Sequence, residues 1–134
     1  MTVRPFPNRA VPKGPARKVK DGAGEALAQV ERATRALHHE LEGELEKMLE
    51  RQPEVSVWIT TALWMLEMAA KDLVSEPDRE RRRTGIPITM QHAMRVSAGL
   101  EIASTMGVLD LDPARCDMRV GVILSKLERA RQAA

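Results

Sequence analysis

Leu27, Val30, Thr34, Leu37, Leu41, Leu45 and Met48 follow one another at spacings of 3, 4, 3, 4, 4 and 3 residues. An α-helix places such positions on one side, because 3.6 residues complete a turn. Glu, Arg and Lys fill most of the positions between them, so the stripe is narrow and close to a coiled-coil seam. The pattern predicts a helix from about Glu25 to Arg51, stopped by Pro53. With a rise of 1.5 Å per residue it would be roughly 40 Å long. A helix of that length with a single apolar stripe must lie along another helix, of the same chain or of a second copy.

The remaining sequence also favours helices. Apolar residues make up 43% of the chain, but aromatics only 2%, and tyrosine is absent. Strands draw on aromatic and β-branched side chains, whereas Ala, Leu, Met, Glu, Arg and Lys favour helices. The expected fold is all-α: a domain of about four helices over residues 25–134, preceded by a basic, proline-rich, disordered arm over residues 1–24. A chain of 134 residues has room for one such core. The single cysteine, Cys116, has no partner for an internal disulfide. No uncharged apolar run approaches the roughly 20 residues of a membrane span, and no apolar segment follows the N-terminal charges as in a secretory signal. A soluble, cytoplasmic protein without a membrane partner is expected.

The arm is charged differently from the body. Residues 1–20 hold six basic side chains and no acid, whereas the remaining 114 residues hold 15 basic and 19 acidic ones. Four of the eight prolines (Pro5, Pro7, Pro12 and Pro15) also lie in the arm. Proline fixes φ and removes a donor, so the segment should not form a helix.

The stretch "VSVWITTALWMLEMAAKDLV" (55–74) should form a second helix, apolar on nearly every face. Such a helix is covered by neighbours or by an oligomer, which makes Trp58, Trp64, Met65 and Met68 candidate interface residues. "SEPDRERRRTGIP" (75–87) reads as a loop, with Pro77, Gly85 and Pro87 as breakers. Thr89 would then cap a third helix with a broad face of Met90, Ala93, Met94, Leu100, Ala103 and Met106, stopped by Gly107. Asp112 can cap a last helix that begins at Pro113, where no amide hydrogen is needed. That helix would turn Val120, Ile123, Leu124 and Leu127 inward.

Catalytic patterns are sparse. His38 and His39 are neighbours and point in different directions on a helix, and His38 with Glu42 supplies two ligands where a metal site needs three or four. No spacing ties His92 to them. Cys116 has no histidine close in sequence, which favours a structural thiol over a nucleophile. The acids Glu40, Glu42, Glu44, Glu46 and Glu50 read as the solvated face of the long helix. There is no glycine-rich phosphate loop. No enzyme, cofactor or metal is expected.

Two basic clusters remain as candidates for contacting DNA phosphates. One is the arm, with Arg4, Arg9, Lys13, Arg17, Lys18 and Lys20. The other is "DRERRR", with Arg79, Arg81, Arg82 and Arg83, where Glu76, Asp78 and Glu80 dilute the charge. Either cluster could equally serve solubility alone.

The helix "MQHAMRVSAGLEIASTMGV" followed by "GVLDLDPARCDMRVGV" resembles the phage terminase small-subunit family. The likeness covers roughly residues 25–125 and is most motif-like over residues 88–125. Its elements are a long first helix, a Trp- or Leu-rich second helix, a short charged loop, and a Gly-Leu-Thr-Pro-like turn leading to arginine and an aliphatic-Gly-aliphatic segment. Asp112 stands where the family usually has threonine, and Arg115 and Arg119 stand in a shifted register. The resemblance implies a non-catalytic subunit in the bacterial host cytoplasm that recognises double-stranded DNA during genome packaging. It also implies a homo-oligomer, in ring form, that engages the large terminase subunit. The competing reading is a helical protein–protein adaptor, of phage or bacterial origin, that does not bind DNA.

Overall fold

The computed structural model describes residues 22–133, which form four helices and no strand. They are α1 (Gly22–Arg51), α2 (Pro53–Ser75), α3 (Arg79–Thr105) and α4 (Pro113–Ala133). Each runs antiparallel to the one before it. α1 packs on α2 and α4, and α3 packs on the same two helices, while the diagonal pairs do not approach backbone to backbone. The result is an up-down-up-down four-helix bundle.

Every seam residue of α1, Leu27 through Met48, is buried, and Met48, Leu41 and Val30 are fully so. They meet Ile59, Leu63 and Leu66 of α2, Ile86 and Val96 of α3, and Ile123 and Leu127 of α4 in one core. α1 begins at Gly22, so residues 22–24 belong to the helix rather than to the arm, and Ala23 is buried. The six basic arm residues, Arg4 through Lys20, lie outside the described residues.

The connections explain the tight topology. Gln52 alone separates α1 from α2, with φ −142° and ψ 77° breaking the helix. Pro53 then opens α2 at a position that needs no donor. Ser56 Oγ donates to the Leu45 carbonyl at 2.7 Å, pinning the hairpin from within. After α3, Gly107 takes φ +74°. The Gly107 and Val108 amides donate to the Ser104 and Ala103 carbonyls, both at 3.0 Å, which is the Schellman pattern of a helix stop. Asp112 Oδ1 accepts from the Ala114 amide at 3.2 Å, the side-chain cap expected before Pro113.

The segment 75–87 departs from its loop reading. Only Glu76, Pro77 and Asp78 lie outside helices, and α3 starts at Arg79 with Gly85 and Pro87 inside it. Asp78, not Thr89, is the N-cap, accepting from the Glu80 amide at 2.9 Å. Gly85 is no breaker here: a Cβ on it would stand 2.9 Å from Leu73 Cδ2, so the missing side chain lets α2 and α3 approach. Pro87 lies on the solvent side, where the carbonyl that it leaves without its helical partner can be hydrated. Thr89 is buried, and its hydroxyl donates to the Gly85 carbonyl at 2.9 Å. Two methionines placed on the inner face of the third helix, Met94 and Met106, are exposed instead.

Candidate interaction surfaces

The inward face of α2 is complete without Trp64, while the Trp58 ring lies partly over Gly99 of α3. Ser56, Ile59, Ala62, Leu63, Leu66, Ala70 and Leu73 are buried, and one side of the helix remains open. Val57, Trp58, Trp64, Met65 and Met68 line that open side, with Trp64 57% and Met68 55% exposed. α2 is therefore apolar all round, as its sequence indicates, yet its own bundle covers only part of it. Single exposed apolar residues are ordinary on protein surfaces, but five on one side of one helix form a patch. Ile88 and Met94 of the adjoining helix α3 are exposed as well.

Arg79, Arg81, Arg82 and Arg83 sit on the first turns of α3 rather than in a loop. A helix N-terminus is the positive end of the dipole, so four arginines there oppose helix formation and favour an anion close by. Part of their charge is already answered: Arg81 lies 3.8 Å from Asp78, and Arg83 3.3 Å from Glu80. A hollow lined by Gly24, Glu25 and Ala28, the α2–α3 turn and Arg82 joins the start of α1 to the start of α3. The root of the arm and the arginine cluster thus lie at the same end of the bundle.

The opposite end is acidic. Between α1 and α2 runs an open groove of about 360 Å³, floored by Leu45, Leu49, Val57 and the Thr60–Thr61 pair, and rimmed by Glu42 and Glu46. No lysine or arginine lines it. Pro53, Glu54 and Trp58 border the adjoining hollow.

The titratable groups singled out from the sequence do not converge. His38 Nδ1 stands 2.7 Å from Glu67 Oε1 on α2, so its partner is across the hairpin and not Glu42. Glu42 lies 3.9 Å from His39 instead. His92 is on α3, diagonally across the bundle from α1. It is buried, its Nδ1 has no hydrogen-bond partner, and burial, helped by the Arg95 charge, lowers its pKa below the usual imidazole value. Cys116 is buried too, and burial together with the nearby Glu40, Asp112, Asp117 and Glu44 carboxylates raises its thiol pKa. A raised pKa disfavours the thiolate, and with it nucleophilic chemistry. Among the described residues, no three His, Cys, Asp or Glu side chains are grouped to hold a metal ion. No helix there is long and apolar enough to cross a membrane.

The acids of α1 divide into two sets. Glu40 receives two arginines of the last helix: Arg115 Nη2 at 3.1 Å and Arg119 Nε at 2.6 Å, the latter an ion-pair contact without hydrogen-bond alignment. Glu44 is buried, and its Oε1 accepts from the Asp110 amide at 2.9 Å while Oε2 meets Lys47 at 3.0 Å. Its bonds with Glu44 and Asp110 raise the pKa of Lys47. Arg51 adds a bond to the Gly107 carbonyl at 3.2 Å. These contacts tie the α3–α4 turn to α1, which gives the turn a structural role. Glu42, Glu46 and Glu50 are the exposed set.

No protein-family model matches this chain, and neither a curated protein nor a solved structure was found to be similar to it.

Proposed function

We propose that this chain is a non-catalytic, self-associating recognition subunit, acting as the small subunit of a phage terminase in the host cytoplasm. The observation that carries the reading is the open side of α2, where Trp58, Trp64, Met65 and Met68 are exposed beside the buried core. Interfaces are enriched in tryptophan and methionine, and these side chains supply much of the binding energy where water is excluded. A second copy covering this face would remove them from solvent and build the homo-oligomer.

DNA contact rests on charge and placement. The arm brings six basic side chains, and it leaves the bundle at the end where Arg79, Arg81, Arg82 and Arg83 begin α3. Together they supply non-specific phosphate contacts, which position a duplex without reading its sequence. The large terminase subunit as partner, and packaging as the process, rest on the sequence resemblance alone.

The test is a titration of duplex DNA with the full chain over a range of salt concentrations. Six phosphate contacts from the arm give a log–log slope near about −5. Replacing the six arm residues by glutamine should flatten that slope and leave the helical signal unchanged. Absence of DNA binding at low salt would leave the protein-only adaptor as the reading.

A further inference from the structure

We propose that the groove between α1 and α2 is a docking site for the N-terminal segment of the same molecule, residues 1–20. The groove has an apolar floor of Leu45, Leu49 and Val57, an acidic rim of Glu42 and Glu46, and no lysine or arginine in its lining. Glu50 and Glu54 continue the acidic surface where α1 turns into α2. The one basic partner at its edge, His38, is already turned to Glu67.

Such a site fits a chain that alternates cationic and apolar side chains. "VRPFPNRAVPK" (3–13) has that composition: Arg4, Arg9 and Lys13 alternate with Val3, Phe6 and Val11, and no acid interrupts them. Its prolines suit an extended peptide, which loses less conformational freedom on binding than a flexible one. The chain is also long enough. Glu42 and Glu46 lie 20 and 24 residues beyond Gly22 along α1, or about 30–36 Å at 1.5 Å per residue. An extended chain covers about 3.3 Å per residue, so roughly ten residues bridge that distance and the first ten remain to lie in the groove. Opposite charges at the two ends of the bundle favour the return: the body alone carries more acid than base.

The charges of Arg4 and Arg9 complement those of Glu42 and Glu46, and the Phe6 side chain matches the apolar floor in chemistry. The proposal holds whether or not the arm binds DNA, because it concerns the free protein.

The experiment uses the full chain with the photoreactive p-benzoylphenylalanine in place of Phe6, irradiated at low salt. Equal parts of light and heavy-isotope protein are mixed, and cross-linked peptides are identified by mass spectrometry. The expected product joins the arm to residues 42–61 within one molecule, with light–light and heavy–heavy pairs only. The double variant Glu42→Lys/Glu46→Lys should lose this product, and Glu101→Lys on exposed α3 should keep it, with both variants as helical as wild type. Cross-links that avoid the groove, that join light to heavy chains, or that persist in the double variant would overturn the proposal.

Discussion

Substituting glycine by alanine at different points of this bundle should have opposite effects on stability, and the difference measures how closely α2 and α3 approach. Gly43 is exposed in the middle of α1, and a Cβ there would meet nothing within 4 Å. Gly43→Ala therefore gains the helix propensity difference, about 1 kcal/mol, with no penalty. Gly99 is also mid-helix, but a Cβ on it would stand 2.6 Å from Ile59 Cγ1 and 3.1 Å from the Trp58 ring. Ile59 is fully buried, and Cγ1 is not the free end of a flexible chain, so the contact is relieved only by moving helices apart. Overpacking of that kind costs about 1–3 kcal/mol, which cancels or exceeds the same propensity gain. Gly85→Ala falls between, since the atom met at 2.9 Å is the end of Leu73. For a domain of this size each kcal/mol shifts Tm by about 4 °C. Circular-dichroism melts should rank Gly43→Ala above wild type, Gly85→Ala near it and Gly99→Ala below it. A Gly99→Ala protein that melts as high as Gly43→Ala would refute the close α2–α3 contact.

Asp112→Ala should lose about 0.5–2 kcal/mol through the missing cap on α4, while Asp112→Ser should be nearly silent in the same melts. Arg115→Ala and Arg119→Ala each remove one half-exposed partner of Glu40, so each should lose no more than about 1 kcal/mol; a double-mutant cycle with Glu40→Gln would show coupling, and strict additivity would deny it. His92 is held neutral by burial, so the unfolded chain binds its proton more readily than the folded one. Stability associated with His92 is accordingly present above the unfolded value of about 6.5 and lost as pH falls through the lower folded value; His92→Gln should reduce the acid-side loss, and an unchanged pH profile would show that His92 is solvated. Cys116 should resist a thiol reagent in the native protein and react fully after denaturation, whereas fast native labelling would contradict its burial.

Much of the bundle can be seen in the sequence because its helices announce themselves locally. The α1 seam, the Gly107 stop and the Asp112–Pro113 start are decided by residues within a turn or two of each other, where periodicity and capping act. The start of α3 was hidden for a physical reason. Gly85 and Pro87 look like breakers, but one provides room for Leu73 and the other loses its hydrogen bond on the wet side of the helix. The apolar character of α2 was visible, but which of its residues remain open depends on where α1 and α3 lie. The contacts of His38 with Glu67, Glu44 with Asp110, and Glu40 with Arg115 and Arg119 join residues 29 or more positions apart, where no local rule operates. The acidic groove exists only once α1 and α2 are paired, so its glutamates read as an ordinary solvated face until then.

The mass of the full chain in solution bears most directly on self-association through α2. Multi-angle light scattering at micromolar concentration should give a multiple of the chain mass, with tryptophan fluorescence shielded from a soluble quencher. The double variant Trp64→Glu/Met68→Glu should run as a helical monomer with its remaining tryptophan, Trp58, open to the quencher. A wild-type protein that runs as a compact monomer, or a double variant that keeps the wild-type mass, would contradict the assignment of this face to assembly.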